Sequence, residues 1–290
     1  MNVRAMNLVR RLGEIRNRGR FSEILAMASA QTPTFRIDDD GTCAVDDYAV
    51  PARLTVNGRL CVSSCAALFD EVSSFGVIAA DRSHRWGVSV ALSATRTGLM
   101  PATGERVSVV SKNVRLGRSL GSCDVALVDA ATGTVLATGT HTKFLPNRIP
   151  GWDAVVGGPL KPLIIAGGER RARQLGDRPR LDLSRHGALA DAVPLAFDPR
   201  DRRRAVLEPA MELSNAMGTL HGGSLVIASH RVARRAAAAR SSARSLHCEF
   251  LATGAGPHAV TATRASLRVT DVAITAANGK RVFRAQALWD

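Results

Sequence analysis

The stretch Ser214-Asn215-Ala216-Met217-Gly218-Thr219-Leu220-His221-Gly222-Gly223 leads directly into the run Ser224-Leu225-Val226-Ile227-Ala228-Ser229-His230. Small, flexible residues stand before an apolar run that can wind into a helix, which predicts a turn delivering a helix N-terminus to a site. Gly222 and Gly223 carry no Cβ, so a carbonyl group can come close to their backbone N–H groups. Those groups fall where a helix has unpaired donors and the positive end of its dipole. That is what a developing oxyanion requires. The bland alternative is a pair of glycines that only permits tight packing, with Asn215 as a turn residue.

Outward from this motif, the second half reads as strand-like over 206–213, helical from His221 to about Arg240, then as strands near 245–252, 259–269, 272–276 and 282–288. Asn278-Gly279-Lys280 is a hairpin signal. The first half carries the same pattern. One or two strands lie within 34–56, and a helix spans 60–80, with Cys65, Leu68, Phe69, Val72, Phe75, Ile78 and Ala79 at the spacing of one buried face. Strands follow at 87–95, 106–112, 122–129 and 134–144, punctuated by Gly98, Gly117 and Ala131-Thr132-Gly133. One helix followed by an antiparallel meander, stated twice, predicts an internal duplication. The second unit is shorter, lacking much of a hairpin spanning 115–125. Between the units, Pro146, Pro150, Pro159, Pro162 and Pro179 with Gly157-Gly158, Gly167-Gly168 and a run of Arg predict a linker. The expected boundaries are 1–147, 148–190 and 191–290.

Asn followed by Gly-Thr-Leu-His-Gly-Gly at a helix start resembles the signature of hotdog-fold acyl-CoA thioesterases, particularly the phenylacetate-pathway and small thioesterase-superfamily branch. Over most of 20–146, Gly87-Val88-Ser89-Val90, Gly104-Glu105, Gly117-Arg118-Ser119-Leu120, Ala131-Thr132-Gly133 and His141-Thr142-Lys143 are similar to family landmarks in family order. Arg20-Phe21-Ser22-Glu23-Ile24-Leu25 resembles the family's N-terminal helix. The resemblance implies an α+β fold: two tandem hotdog units, each an antiparallel sheet wrapped around a central helix, forming a pseudo-dimer.

Aligning Gly58-Arg59-Leu60-Cys61-Val62-Ser63 with Gly218-Thr219-Leu220-His221-Gly222-Gly223 sets Cys61 against His221 and Val62 against Gly222. Nine residues after Cys61 stands Asp70, at the family's position for the catalytic acid. Nine residues after His221 stands His230. Nine residues at about 100° each turn a helix two and a half times, so each residue faces away from its own helix start. In a hotdog pair two central helices lie side by side, so Asp70 is expected to meet Gly222. The resemblance then implies one composite site from Asn215, His221 and Gly222 of the second unit with Asp70 and Ser89 of the first. The sister site, with Cys61, Val62, His230 and Thr55, is expected to be dead. Gly222 N–H would polarise a thioester carbonyl and Asp70 would act as general base or nucleophile. Asn215 would orient water or the carbonyl, Ser89 would position water or bond the acid, and His221 would support the turn. Arg96, Thr97, Arg115, Arg118 and Lys143 are the expected contacts for coenzyme A phosphates.

Composition bounds these readings. The 290 residues have a net charge of +14, which favours phosphate-bearing ligands, acidic partners or an RNA neighbourhood, and equally fits a basic compartment with solvated Arg. Aromatic residues make up 4%, so the core must rely on Val, Leu, Ile and Ala. Five cysteines form no CxxC pair, which speaks against a disulfide framework or metal site and for a reducing interior. No apolar run suggests a membrane span. The Arg-rich first 30 residues read as a mitochondrial targeting helix, with a cytoplasmic location as the alternative. The expected ligand is acyl-CoA with no further cofactor, and double-hotdog chains are expected to self-associate. A second function reading is an inactive hotdog module in a large assembly such as a mitochondrial ribonucleoprotein. A hydratase is less favoured because no separate Asp-x-x-x-x-His pair opens a helix.

Overall fold

The computed structural model describes residues 21, 25, 34–38, 40–81, 85, 87–146, 166, 181, 188–215, 218–239, 242–253 and 256–290. Two helices organise it. The first, α1 (Val62–Ala80), is buried on nearly every face. At 19 residues and a mean hydropathy of 1.3 it is long and apolar enough to cross a membrane, which corrects the expectation that no such run exists. Here it is the core helix, wrapped by β2 (Cys43–Ala49), β5 (Val88–Arg96), β6 (Arg106–Leu116), β7 (Leu120–Asp129) and β8 (Val135–Phe144). Its counterpart α3 (Gly222–Ala237) is amphipathic, with Leu225, Val226, Ile227, Val232 and Ala233 buried and Arg234 and Arg235 in its last turn. Cations there complement the negative end of the helix dipole. It packs on β10 (Arg204–Leu207), β12 (His258–Arg264), β13 (Val269–Ala276) and β14 (Arg281–Leu288).

Twelve strands make one antiparallel sheet in the order β1-β2-β6-β7-β8-β5-β11-β14-β13-β12-β10-β9, where β1 is Thr34–Ile37, β9 Leu195–Phe197 and β11 Ser245–Phe250. Read from the middle outward, the two halves have the same connectivity. The seam is the pairing of β5 with β11, Leu92 opposite Cys248 and Ser93 opposite His247. Strand alternation turns Leu92, Ala94, Leu246 and Cys248 toward the helices, and Ser93, Thr95, His247 and Glu249 away from them. Joining the sheets removes two edges and sets α1 directly beside α3.

The second half is shorter in the hairpin foreseen: β12 and β13 have 7 and 8 residues against 11 and 10 in β6 and β7. Two readings are corrected. The strand expected over 206–213 stops at Leu207, before Pro209, and a 3-10 turn Met211–Leu213 follows; proline has no N–H to donate to a ladder. Leu189 and Ala190, at the end of the expected linker, begin the short helix α2 (Leu189–Ala192) and are buried. Most of the expected linker and of the N-terminal 33 residues lies outside the described residues. Phe21 and Leu25 are described and wholly buried, with Tyr48 Oη donating to the Leu25 carbonyl at 2.6 Å. All five cysteines are free and buried.

Candidate active site

Asp70 faces α3 from the middle of α1. A Cβ placed on Gly222 would lie 3.0 Å from Asp70 Oδ2, so the carboxylate of one helix abuts the first turn of the other. A side chain there would press on the carboxylate, and glycine avoids that. Gly222 N–H is in the first turn of α3 and has no acceptor among the described residues, leaving a donor beside an acid. His221 is the N-cap: its Nδ1 accepts the Gly223 N–H at 3.0 Å. The same nitrogen lies 3.4 Å from Asp70 Oδ2, while Nε2 lies 3.6 Å from Glu71 Oε2. Phe21 stacks on the imidazole with ring centres 4.9 Å apart. With Nδ1 engaged by the Gly223 N–H, Nε2 is the nitrogen turned toward Glu71.

Ser89 enters from β5 and donates to Asp70 Oδ1 at 3.0 Å. A register shift between Ser89 and Ala91 re-aims this strand end, so Ser89 points inward although Val88 and Val90 are exposed. Two further side chains come from β8. His141 Nε2 is 3.0 Å from Ser89 Oγ and 3.5 Å from Asp70 Oδ1, and its Nδ1 is 2.6 Å from Ser73 Oγ. Lys143 Nζ donates to Ser74 Oγ at 2.7 Å and to Ser89 Oγ at 3.3 Å. Ser73 and Ser74 donate in turn to the carbonyls of Phe69 and Asp70, both at 2.5 Å.

His141 bridges Ser73 and Ser89 through its two ring nitrogens. Asp70, Glu71, His141 and Lys143 are each no more than 4% exposed. Polar groups buried this deeply persist because hydrogen bonds and opposite charges surround them.

The sister position differs at every point. Val62 N–H is capped by Ser242 Oγ at 3.0 Å. His230, in the place of the acid, has Nδ1 2.9 Å from Ser63 Oγ while Nε2 accepts the Ala243 N–H at 3.2 Å. Trp289 stacks on it at 5.9 Å. Burial, with a contribution from Arg234, pushes its pKa down to about 3, so it is neutral. Cys61 Sγ lies 3.0 Å from Ser64 Oγ, and Thr55 Oγ1 donates to the Ala52 carbonyl at 2.8 Å.

Comparison with known proteins bears on the fold. No family model matches the chain. It is 34% identical over 83 residues to acyl-coenzyme A thioesterase 13 of Homo sapiens, which covers 28% of this chain and 57% of that protein; the Pongo abelii protein matches equally. The chain thus spans a little over half the length of these curated relatives. An acyl-ACP thioesterase from Bacteroides thetaiotaomicron superposes with a TM-score of 0.58 at 12% identity, over 87% of this chain and 99% of that one. The 12:0-ACP thioesterase from Umbellularia californica gives 0.55 at 14% identity, over 86% and 97%. The fold is that of the hotdog thioesterases. Because each of these two solved chains is covered almost end to end by most of this one, the likeness extends across both hotdog units.

Within this hotdog pair Asp70, Ser89, His221 and Gly222 lie close together. Asn215 has a role in the turn. Its amide donates to Thr219 Oγ1 at 2.8 Å and its backbone bonds to Thr219 and Gly218, closing the turn before α3. The five expected phosphate contacts do not form one cluster. Lys143 is corrected outright: inward alternation on β8 buries it beside Ser89, where it cannot reach a phosphate in solvent. Arg96 pairs with Asp290, and Thr97 Oγ1 donates to the Val135 carbonyl at 2.6 Å. Arg115, opposite Ser122, and Arg118 are exposed at the other end of the sheet, the end that carries Ser89 and Lys143.

Sequence reading missed Glu71, Phe250 and the use of His141 and Lys143. The alternating pair His141-x-Lys143 in a strand whose other inward residues are apolar was the available signal. Among the described residues no group of three or more His, Cys, Asp or Glu is placed to hold a metal ion.

Proposed function

We propose that this chain hydrolyses acyl thioesters of coenzyme A, with one working centre at Asp70 and Gly222. The observation that supports it most directly is the 3.0 Å approach of Asp70 Oδ2 to the Cβ position of Gly222, beside an N–H donor with no partner among the described residues. Asp70 takes a proton from water, whose oxygen bonds to the thioester carbonyl carbon. The carbonyl oxygen gains negative charge and is stabilised by Gly222 N–H at the positive end of α3. Collapse breaks the carbon–sulfur bond, and the leaving thiolate recovers the proton from Asp70. Ser89 holds Asp70 Oδ1, leaving Oδ2 toward Gly222. His141 and Lys143 both contact Ser89 and so hold it against Asp70, and His221 fixes the helix tip that presents Gly222. Arg115 and Arg118, exposed at the sheet end that carries Ser89, would meet the phosphates.

A panel of acyl-CoA thioesters assayed with the purified chain and Asp70→Asn tests the reading. Turnover lost in the variant supports it; equal rates for the two proteins remove it. A second reading, an inactive hotdog module, draws on one observation: the Phe250 ring lies against Gly222. Under that reading neither protein turns over any member of the panel.

A further inference from the structure

Phe250 closes β11 and reaches the reaction centre from the second unit. Its Cε1 and Cζ lie 3.0 and 3.3 Å from the point where a Cβ on Gly222 would sit, and Asp70 Oδ2 lies 3.0 Å from the same point. Carboxylate oxygen and ring edge are therefore no more than about 6 Å apart, twice that radius. A thioester group held between them needs ordinary contact of ~3.5 Å on each face, about 7 Å in all. The ring must turn aside when substrate enters.

It has room to do so. Phe250 is only half-buried, whereas Phe283, against which it packs edge-on at 5.1 Å, is fully buried and fixes one side of its travel. The ring is carried by the last residue of β11, so it stays against the Gly222 tip of α3. Carbons bonded to a carbonyl seated on the Gly222 N–H share that space with it. A straight chain presents a methylene there, and a branched one an additional methyl that needs more of the room the ring takes up.

We propose that Phe250 is the specificity-determining residue of this site and selects acyl groups unbranched at the carbon next to the carbonyl. This rests on the thioesterase reading. The test compares kcat/KM for butanoyl-CoA and 2-methylpropanoyl-CoA within each of three proteins: unaltered chain, Phe250→Ala and Phe250→Leu. A ratio taken within one protein is independent of the fraction folded. The unaltered chain should favour the straight substrate by ~10-fold or more, the selectivity one carbon position can give. Phe250→Ala should bring the ratio near one, and Phe250→Leu should fall between. An unchanged ratio in Phe250→Ala overturns the assignment while leaving the thioesterase reading intact. Absence of turnover of both substrates by the unaltered chain overturns both together.

Discussion

The two helix-tip sites are built from the same fold and differ in how they treat one backbone N–H and one buried polar side chain. At Gly222 the donor has no acceptor among the described residues and a carboxylate lies beside the glycine; at Val62 it is closed by Ser242, and a neutral imidazole stands in the acid's place. The difference shows that two units of one fold can divide their work. One keeps a set of buried ionisable groups, Asp70, Glu71, His141 and Lys143, and the other replaces them with groups satisfied locally. A buried ionised cluster is costly unless every member is partnered. The first site retains that cost, and the second is relieved of it.

The sharpest way to break the contrast is Asp70→Asn, expected to lower kcat on the order of 10³-fold with the fold kept by circular dichroism. Next, Gly222→Ala pushes a methyl into Asp70 Oδ2 and the Phe250 ring and is expected to lower kcat ~10²-fold. Val62→Ala, at the matching tip, should leave kcat unchanged; a comparable loss there would mean that both tips act.

A third measurement reads the sister site through pH. The folded-state pKa of His230 is about 3, against about 6.5 in an unfolded chain. Above pH 6.5 both states are neutral and nothing is lost. As pH falls from 6.5 toward 3 the unfolded state binds the extra proton, so stability declines by roughly 1.4 kcal/mol per unit at most. Denaturation midpoints for His230→Gln should decline less steeply in that window; equal slopes would remove the neutral assignment. The smallest effect is Ser242→Ala, which uncaps Val62 N–H and should cost about 1 kcal/mol with no change in kcat.

Much of the site was legible because helix geometry carries it. Nine residues from Cys61 to Asp70 and from His221 to His230 set each side chain opposite its own helix start, and pairing then brings Asp70 to Gly222. The phosphate contacts were not legible, because abundance of Arg says nothing about which strand end it occupies. Lys143 was misread for a related reason: a landmark names a residue but not the face of the strand on which it falls.

The amino-acid sequence determined the duplicated helix-and-meander pattern, the glycine-capped tip and the loss of matching parts in each unit, since these depend on local periodicity and spacing. Only the tertiary structure decided that His141 and Lys143 surround Asp70, that Asn215 closes its own turn, and that Phe250 lies at Gly222. Those facts depend on strand register across β5, β8 and β11, where a shift of one residue reverses every side chain, and spacing along the chain does not encode that register.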